Sequence, residues 1–308
     1  MASNMTSRAG FVALIGEPNA GKSTLLNVMV GTKISIVTHK VQTTRARIRG
    51  IAIEGASQII FVDTPGLFLP RRDLDRAMVA AAWNEAADSD LVLLMVEAHR
   101  GVTDGVVRIL DEISARIGGV QLALAINKVD RVKAGALLEL AGDLNERFDF
   151  VRTFMISATK GSGVAGLRKW LAEQLPAGPW LYPEEQVADI PMRTLAAETT
   201  REQLTLRLHQ ELPYQMTVET ERWEERKDGS VRIDQVVYVT RDGHRGIVVG
   251  KDGRTAKAVG KAARRALEDM LGRRVHLFIR VKVRAGWMTE AERFAAIGLE
   301  RCDSRRVQ

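Results

Sequence analysis

The stretch FVALIGEPNAGKST, residues 11–24, joins an apolar run to a glycine-rich loop and the start of a helical segment. Its GEPNAGKS portion matches G-x-x-x-x-G-K-S/T, a pattern that binds nucleotide phosphates when it lies between a strand and a helix. Glycines let the backbone curl around an anion, and the N–H groups at the helix start face it. We therefore predict a phosphate loop (P-loop) formed by Gly16, Glu17, Pro18, Asn19, Ala20, Gly21, Lys22, Ser23 and Thr24.

On both sides of this loop, apolar runs alternate with helical patterns. The predicted strands are 11–16, 51–55, 58–63, 91–97, 120–127 and 151–157. The predicted helices lie near 22–30, 74–88, 104–116, 133–147 and 163–175. Runs that are apolar throughout are typical of strands buried on both faces of a parallel sheet. Residues 1–175 are therefore predicted to be an α/β domain with a doubly wound sheet and ligand loops at the carboxyl ends of its strands.

The pattern changes after a proline-containing segment, which we interpret as a linker over 176–190. Residues 191–308 indicate a helix over 193–211, two strands joined by a turn at 227–229, two helices and a last strand. A chain of 308 residues suits two domains. We predict that the second is a small α+β domain.

A second motif, Asp63-Thr64-Pro65-Gly66, ends the predicted strand 58–63 and is followed by Leu67. An aspartate at this place reaches Mg²⁺, usually through water, and the Gly66 N–H senses a γ-phosphate. The loop QTTR at 42–45 lies where such domains place their first switch. One of its threonines is predicted to bind Mg²⁺ and the γ-phosphate; Thr44 is favoured and Thr43 is the competitor. The predicted metal ligands are thus Ser23, Thr44 and Asp63.

Two further motifs indicate that the base is guanine. Asn127-Lys128-Val129-Asp130 ends one predicted strand, and Ser157-Ala158 ends the next. Asp130 can accept hydrogen bonds from N1–H and the 2-amino group of guanine, a pair that adenine does not offer. Four motifs in this order, each at a strand end, predict a site for GTP and GDP with Mg²⁺. Its catalytic group is predicted to be Asn19, Lys22, Thr44 and Gly66.

Charge separates the two parts of the chain. Residues 1–189 carry 21 basic and 21 acidic side chains, whereas residues 190–308 carry 24 and 17 and hold the whole net charge of +7. An excess of this kind favours a polyanionic partner. The single cysteine, Cys302, excludes an internal disulfide framework, and no apolar run approaches the roughly 18 residues of a membrane span. The apolar run 10–16 fits a first strand better than a signal peptide, so we expect a cytoplasmic protein.

A second glycine loop, GKDG at 250–253, lies between two predicted helices inside the basic region. In KH domains a G-x-x-G turn at this place clamps the backbone of about four nucleotides. We predict an RNA contact formed by Ile247, Val248, Val249, Gly250, Lys251, Asp252, Gly253, Arg254, Lys257 and Lys261. The alternative is an ordinary turn between helices on a basic face.

These motifs together resemble the Era family of ribosome-assembly GTPases, and the likeness extends to ELPYQMTVE at 211–219 and RVHLFIRVKVRAGW at 274–287. The resemblance implies a P-loop GTPase domain followed by a type II KH domain with a C-terminal helix after Trp287. It also implies slow GTP hydrolysis and binding to the 3′ end of 16S ribosomal RNA during assembly of the small ribosomal subunit. No stable protein partner is implied. The arginine-containing tail 301–308 departs from the family.

Two other functions remain open at this point. The chain could be an RNA-binding module with an inactive nucleotide domain, although the intact Lys22, Asp63 and Asp130 argue against decay. It could instead be a GTPase whose basic face binds anionic lipid, peripheral to the inner membrane.

The hydrolysis mechanism also leaves alternatives, because Leu67 replaces the glutamine that orients water in Ras-like enzymes. Asn19 resembles an asparagine that helps some GTPases bind K⁺. It could also stabilise only the loop by an Asx-type hydrogen bond, and Arg45 or Arg47 could supply the missing positive charge.

Overall fold

A computed structural model describes residues 6–40, 44, 48–70 and 73–286, without the side chains of 73 and 74. The described residues form two units. The first contains the chain up to Ser35 and from Thr44 to Asp189, and the second contains residues 36–40 and 190–286. Several predictions fall outside the described residues: those for Thr43, Arg45 and Arg47, for the C-terminal helix expected after Trp287 and for the tail 301–308.

The first unit is built on a seven-stranded sheet whose order is β6-β5-β4-β1-β3-β2-β7. Its strands are β1 (Arg8–Gly16), β2 (Ile48–Glu54), β3 (Ser57–Asp63), β4 (Leu91–Glu97), β5 (Gln121–Asn127), β6 (Arg152–Ile156) and β7 (Ala188–Asp189). Strand β1 pairs in parallel with β3 and β4, and the pairs β4–β5 and β5–β6 are also parallel. Only β2 and β7 break the pattern, each pairing antiparallel with its neighbour.

Five helices accompany this sheet, and the α/β prediction is confirmed. They are α1 (Lys22–Val30), α2 (Asp73–Ala87), α3 (Asp104–Arg116), α4 (Ala134–Arg147) and α5 (Val164–Gln174). Helix α3 begins where the Thr103 hydroxyl accepts the Val106 N–H, an N-cap that satisfies one free donor of the first turn. Its residues 106, 109, 110 and 113 are apolar and buried at helical spacing, so this face packs into the core beside β4 and β5.

The alternation of parallel strands and helices collects the predicted motifs at one edge of the sheet. Strands β1, β3, β4, β5 and β6 run in the same direction, and their carboxyl ends carry Gly16, Asp63, Glu97, Asn127 and Ile156. Ligand sites of such sheets lie beyond these ends.

The proline-containing segment after α5 is part of the first unit and packs against its β2–β3 hairpin. The Gln58 side-chain oxygen accepts the N–H groups of Leu181 and Tyr182 (2.8 and 3.0 Å), and its Nε2 donates to the Tyr182 carbonyl (2.8 Å). The indole N–H of Trp180 donates to the Ala56 carbonyl at 2.9 Å. These contacts lead the chain to β7, which pairs with the edge of β2.

The second unit has the predicted order α-β-β-α-α-β. Its elements are α6 (Met192–Arg207), β8 (Met216–Glu225), β9 (Val231–Val239), α7 (Asp242–Val249), α8 (Arg254–Leu271) and β10 (Val275–Val283). The sheet order is β10-β9-β8, with β9 parallel to β10 and antiparallel to β8. Helix α6 ends before the predicted residue 211; after it, a 3₁₀ turn contains Pro213, which has no N–H to continue a helix.

Residues 36–40 belong to this second unit, although they lie far from it in sequence. The Val37 N–H donates to Glu202 Oε1 at 2.9 Å, and the Lys40 ammonium donates to the Leu208 carbonyl. Glu202 lies on α6 and is only 2% exposed. This short segment therefore satisfies a buried carboxylate of the second unit.

Within the described residues, no helix combines the length and the apolar composition that crossing a membrane requires.

Candidate functional site

The P-loop connects β1 to α1 through a backbone that few side chains permit. Gly21 has φ 102°, and a Cβ on it would lie 2.2 Å from Asn127 Nδ2, so only glycine fits. The Lys22 ammonium donates to the carbonyls of Gly16 and Glu17, both at 3.0 Å. Burial lowers the pKa of Lys22 to about 8, while the charges of Asp63 and Glu17 oppose that change. The loop therefore holds a poorly hydrated cation at the place predicted for phosphate.

A cluster of hydroxyl groups surrounds one carboxylate oxygen beside this loop. Asp63 Oδ2 accepts from Ser23 Oγ (2.7 Å) and Ser35 Oγ (2.8 Å), and Thr44 Oγ1 lies 3.4 Å away. Ser23 Oγ and Thr44 Oγ1 are themselves 3.0 Å apart. Burial raises the pKa of Asp63 against the effect of these hydrogen bonds and of Lys22. The predicted metal ligands thus lie together.

The donor set of this cluster fits Mg²⁺. The second oxygen of Asp63, Oδ1, is buried and has no hydrogen-bond partner among the described residues. A buried carboxylate oxygen without a donor is costly and rare in proteins, and a cation would satisfy it. Carboxylate and hydroxyl oxygens are hard ligands of the kind that Mg²⁺ prefers. Ser35 belongs to the same cluster, but no motif in the sequence identified it.

The remaining residues of the Asp63 motif are buried in the first unit. Thr64 Oγ1 donates to the Leu14 carbonyl at 2.7 Å, and Pro65 and Gly66 are also buried. Leu67 donates its N–H to the Gly16 carbonyl at 3.0 Å, and its side chain packs in the core with 3% exposed. Leu67 therefore contributes backbone structure and no polar side chain to the site.

The guanine motif is held by three side-chain contacts. Asn127 donates to the Ala20 carbonyl (2.8 Å) and accepts the Ala158 N–H (3.0 Å), which ties the P-loop to the loop after β6. Ser157 Oγ donates to Asp130 Oδ1 at 2.5 Å and lowers the pKa of that carboxyl group. Asp130 therefore remains an acceptor near neutral pH, as recognition of guanine N–H groups requires.

A further contact of this motif was not predicted from the sequence. Lys128 Nζ lies 2.6 Å from Oε1 of Glu97, the last residue of β4, whose side chain is 8% exposed. Val129, between Lys128 and Asp130, begins a 3₁₀ turn and packs against the core. Glu97 carries no motif of its own, and only the pairing of β4 with β5 brings it to the site.

Glu17 has two separate roles in the P-loop. Its carbonyl accepts the Lys22 ammonium, whereas its carboxylate accepts the Thr103 hydroxyl at 2.8 Å and lies 3.6 Å from Arg100 Nη1. Thr103 is also the N-cap of α3. This side chain therefore fastens the P-loop to the start of α3.

The second glycine loop forms a tight turn between α7 and α8. Gly250 has φ 75°, and a Cβ there would meet Thr255 Oγ1 at 2.2 Å. Asp252 also takes a left-handed conformation (φ 54°), which aspartate tolerates better than most residues. Lys251 and Asp252 are exposed at the tip, and Gly253 precedes the first residue of α8.

The predicted RNA residues divide by their exposure. Ile247 is 56% exposed and Val249 is half-buried, whereas Val248 is 1% exposed and packs in the core. Val248 therefore supports α7 from within and does not line a surface groove, contrary to the sequence-based interpretation. The exposed basic residues of the turn and of α8 are Lys251, Arg254, Lys257, Lys261, Arg264 and Arg265.

A polar chain inside the second unit holds the start of α7. Arg241 Nε donates to His244 Nε2 (2.7 Å), so the imidazole carries its proton on Nδ1, 2.9 Å from Thr240 Oγ1. Thr240 Oγ1 in turn donates to Gln215 Oε1 at 3.1 Å. Burial, followed by the Arg241 charge, lowers the pKa of His244. The histidine is thus neutral at physiological pH.

Two family models match the chain in the order of its two units. The model described as 50S ribosome-binding GTPase matches residues 11–128, and the KH domain model matches residues 211–288. A relative from Dinoroseobacter shibae, GTPase Era, is 70% identical over 295 residues, which cover 96% of each chain.

This chain belongs to the GTPase Era family. Its members are GTP-hydrolysing P-loop enzymes, and GTPase Era from Brucella suis is a further relative, 58% identical over 96% of this chain and 94% of that one. Two solved Era structures are similar at 34% identity. A point variant of Era from Aquifex aeolicus, bound to GDP·AlF₄⁻, has a TM-score of 0.89 over 94% of this chain and 99% of its own. An Era bound to MgGDPNP and nucleotides 1506–1542 of 16S ribosomal RNA has a TM-score of 0.88 over 95% and 99%.

Proposed function

We propose that this protein binds and slowly hydrolyses GTP, and that it binds the 3′ end of 16S ribosomal RNA during assembly of the small ribosomal subunit. One observation supports the proposal: a single chain brings the P-loop, the Asp63 motif and the guanine motif together at one sheet edge and also carries an exposed G-x-x-G turn before a basic helix. The Era structure that holds both MgGDPNP and 16S ribosomal RNA covers nearly the whole chain, which supports assigning both ligands to this protein. A role on the ribosomal subunit implies a cytoplasmic protein.

In the nucleotide site, each part of GTP would meet a different group. Asp130 accepts from guanine, and the Lys128 stem covers the face of the base. Lys22 and the N–H groups of the P-loop receive the phosphates. Ser23 and Thr44 would hold Mg²⁺, with Asp63 behind them, and the ion would neutralise charge on the phosphate oxygens. Among the residues that the structure describes, Asp63 Oδ1 has no hydrogen-bond partner, and this supports the assignment.

In the second unit, the turn at 250–253 would approach the RNA backbone. The α8 helix begins at Arg254, so its positive end lies next to the turn and favours a phosphate. Lys257 and Lys261 follow at one-turn spacing and are exposed. Ile247 offers an exposed apolar surface on which a base can pack.

Crosslinking to RNA in cells, followed by sequencing of the bound fragments, tests the proposal. We expect a peak at the 3′ end of 16S ribosomal RNA. A Lys22→Ala variant should lose GTP binding. If that variant kept full cellular function, the protein would be an RNA-binding module instead.

The turn itself is tested by Lys251→Asp, which places two adjacent aspartates where a phosphate should lie. RNA affinity should fall about tenfold and the salt dependence of log K should decrease by about one unit, with GTP affinity unchanged. Lys169→Asp makes the same charge change on the exposed surface of α5 and should leave RNA affinity unaltered. Equal RNA affinity of both variants would remove the turn from the interface. Binding to anionic vesicles that RNA does not displace would favour a membrane surface.

A further inference from the structure

Lys128 has a left-handed backbone conformation that is unusual for a lysine. Its φ and ψ are 64° and 34°, the left-handed region that a residue with a Cβ avoids. Among the described residues only Asn19, Gln210 and Asp252 share a positive φ without being glycine. Asparagine and aspartate tolerate this region through local hydrogen bonds, but a lysine side chain offers no such compensation. Contacts elsewhere must hold it.

Glu97 supplies such a contact from the neighbouring strand. Its Oε1 lies 2.6 Å from Lys128 Nζ, and the two side chains are 8% and 23% exposed. The same oxygen lies 2.9 Å from His99 Nδ1. A carboxylate this buried interacts more strongly with a cation than a surface carboxylate does, because less water screens it.

The backbone fixes Glu97 relative to the guanine motif. Glu97 and Asn127 are direct partners in the β4–β5 pairing, and the Ala98 N–H donates to the Asn127 carbonyl at 2.8 Å. Glu97 is therefore held opposite Asn127, the residue that directly precedes Lys128. Asn127 is tied to Ala20 and Ala158 by its own amide.

We propose that Glu97 is a positioning residue of the nucleotide site: it holds the Lys128 ammonium so that the lysine stem lies ready over the face of guanine. The inference rests on the proposed function, because it requires that the base binds at this motif. Glu97 does not touch the nucleotide and acts through Lys128. It stabilises the left-handed backbone before the ligand arrives and so reduces the cost of ordering the motif on binding.

Glu97→Gln is the direct test, since it keeps the shape of the side chain and removes its charge. Equilibrium binding of fluorescent GDP and GTP should weaken about tenfold, and in hydrolysis KM should rise while kcat stays the same. Affinity for IDP, which lacks the 2-amino group, should fall by the same factor as affinity for GDP. The reason is that Lys128 covers the face of the base and Asp130 alone reads the 2-amino edge.

The route through Lys128 is tested by a double-mutant cycle. In a Lys128→Met background, which keeps an apolar stem without the charge, Glu97→Gln should have no further effect on GDP affinity. Glu112→Gln neutralises a glutamate that pairs with Arg116 on the exposed side of α3, away from the nucleotide site, and serves as the matched control. Its affinities should equal those of the wild type.

Three results would overturn the proposal. One is wild-type GDP affinity in Glu97→Gln, another is a full additional loss in the Lys128→Met background, and the third is a selective loss of GDP over IDP. If Glu97→Gln does not fold, Glu97→Asp moves the carboxylate away from Lys128 by one methylene group, so affinity for GDP and IDP should again fall by equal factors. Failure of the wild-type protein to bind guanine nucleotides would refute the proposed function itself.

Discussion

Asn19 occupies the middle of the P-loop with a left-handed backbone (φ 68°). Asparagine takes this conformation more easily than most residues, so its presence has a local explanation. Its side-chain oxygen is also a hard ligand at the entrance to the phosphate site. Because Leu67 is buried and apolar, the described part of the second switch offers no glutamine to orient water. Catalysis must then depend more on groups that stabilise the charge developing on the phosphate oxygens.

We predict that K⁺ provides this stabilisation with help from Asn19. Hydrolysis by the wild type should be about tenfold faster in K⁺ than in Na⁺ at equal ionic strength. Asn19→Gly removes the side-chain oxygen without straining the left-handed backbone and should abolish the difference. Asn19→Asp keeps an oxygen and should retain part of it. Equal wild-type rates in both salts would exclude K⁺ and return attention to Arg45 and Arg47.

Our second prediction is that Asp130 determines the specificity for guanine. Asp130→Asn replaces one carboxylate oxygen with an amide NH₂ and removes the charge, so GTP affinity should fall about 100-fold or more, because a donor then faces the guanine N–H groups. Xanthine nucleotides, which carry an oxygen at C2, should bind better than GTP. Competition between XTP and GTP measures the change. A variant that prefers GTP by the wild-type margin would contradict the role of Asp130.

At the scale of elements, periodicity predicted most of the fold but not the approach of distant side chains. The seven residues of β4 are apolar almost throughout, and their predicted and observed ends coincide. Strand β7 has only two residues and depends on pairing with the edge of β2, so no local pattern could identify it. Ser35 and Glu97 are ordinary polar residues in sequence. Hydrogen bonds from the Asn27 side chain hold the Ser35 backbone in its loop, and the pairing of β4 with β5 brings Glu97 to the site. The prediction for Val248 was wrong because the eight residues of α7 are too few to distinguish its two faces by pattern.

Helix α7 should be sensitive to pH through His244. The folded-state pKa of His244 lies below its ordinary value, so the unfolded chain takes up a proton more readily. The histidine therefore contributes stability above about pH 6.5, and this contribution is lost as pH falls through the lower folded-state pKa. A proton on Nε2 would also face the N–H of Arg241. Amide exchange in α7 should accelerate several-fold between about pH 7.5 and 5.5, after correction for the intrinsic rate.

His244→Asn removes the titrating group, and the acceleration should become smaller. His209 is exposed just after α6, and His209→Asn should preserve the wild-type pH response. A response that survives in His244→Asn would assign the pH effect to other groups.

At the scale of the whole molecule, the order along the chain and the order in space differ at one place. The chain leaves the first unit after Ser35, returns at Thr44 and leaves again after Asp189. Within residues 36–43, the Val37 N–H donates to the buried Glu202 on α6. The residues that precede and follow this segment in sequence, Ser35 and Thr44, both have hydroxyl groups beside Asp63. A division of the chain into two consecutive domains assigns residues 36–40 to the wrong unit.

Dissection of the gene into separate halves should expose the consequence. A fragment that begins at Ile190 contains all six regular elements of the second unit but lacks the donor that Val37 provides to Glu202. Its α6 amides should exchange at least about tenfold faster than in the full chain, because a buried carboxylate has lost a backbone hydrogen bond. Joining residues 36–43 to Ile190 through a glycine–serine tether should restore protection. Equal protection in the untethered fragment would show that the second unit is self-sufficient without residues 36–43.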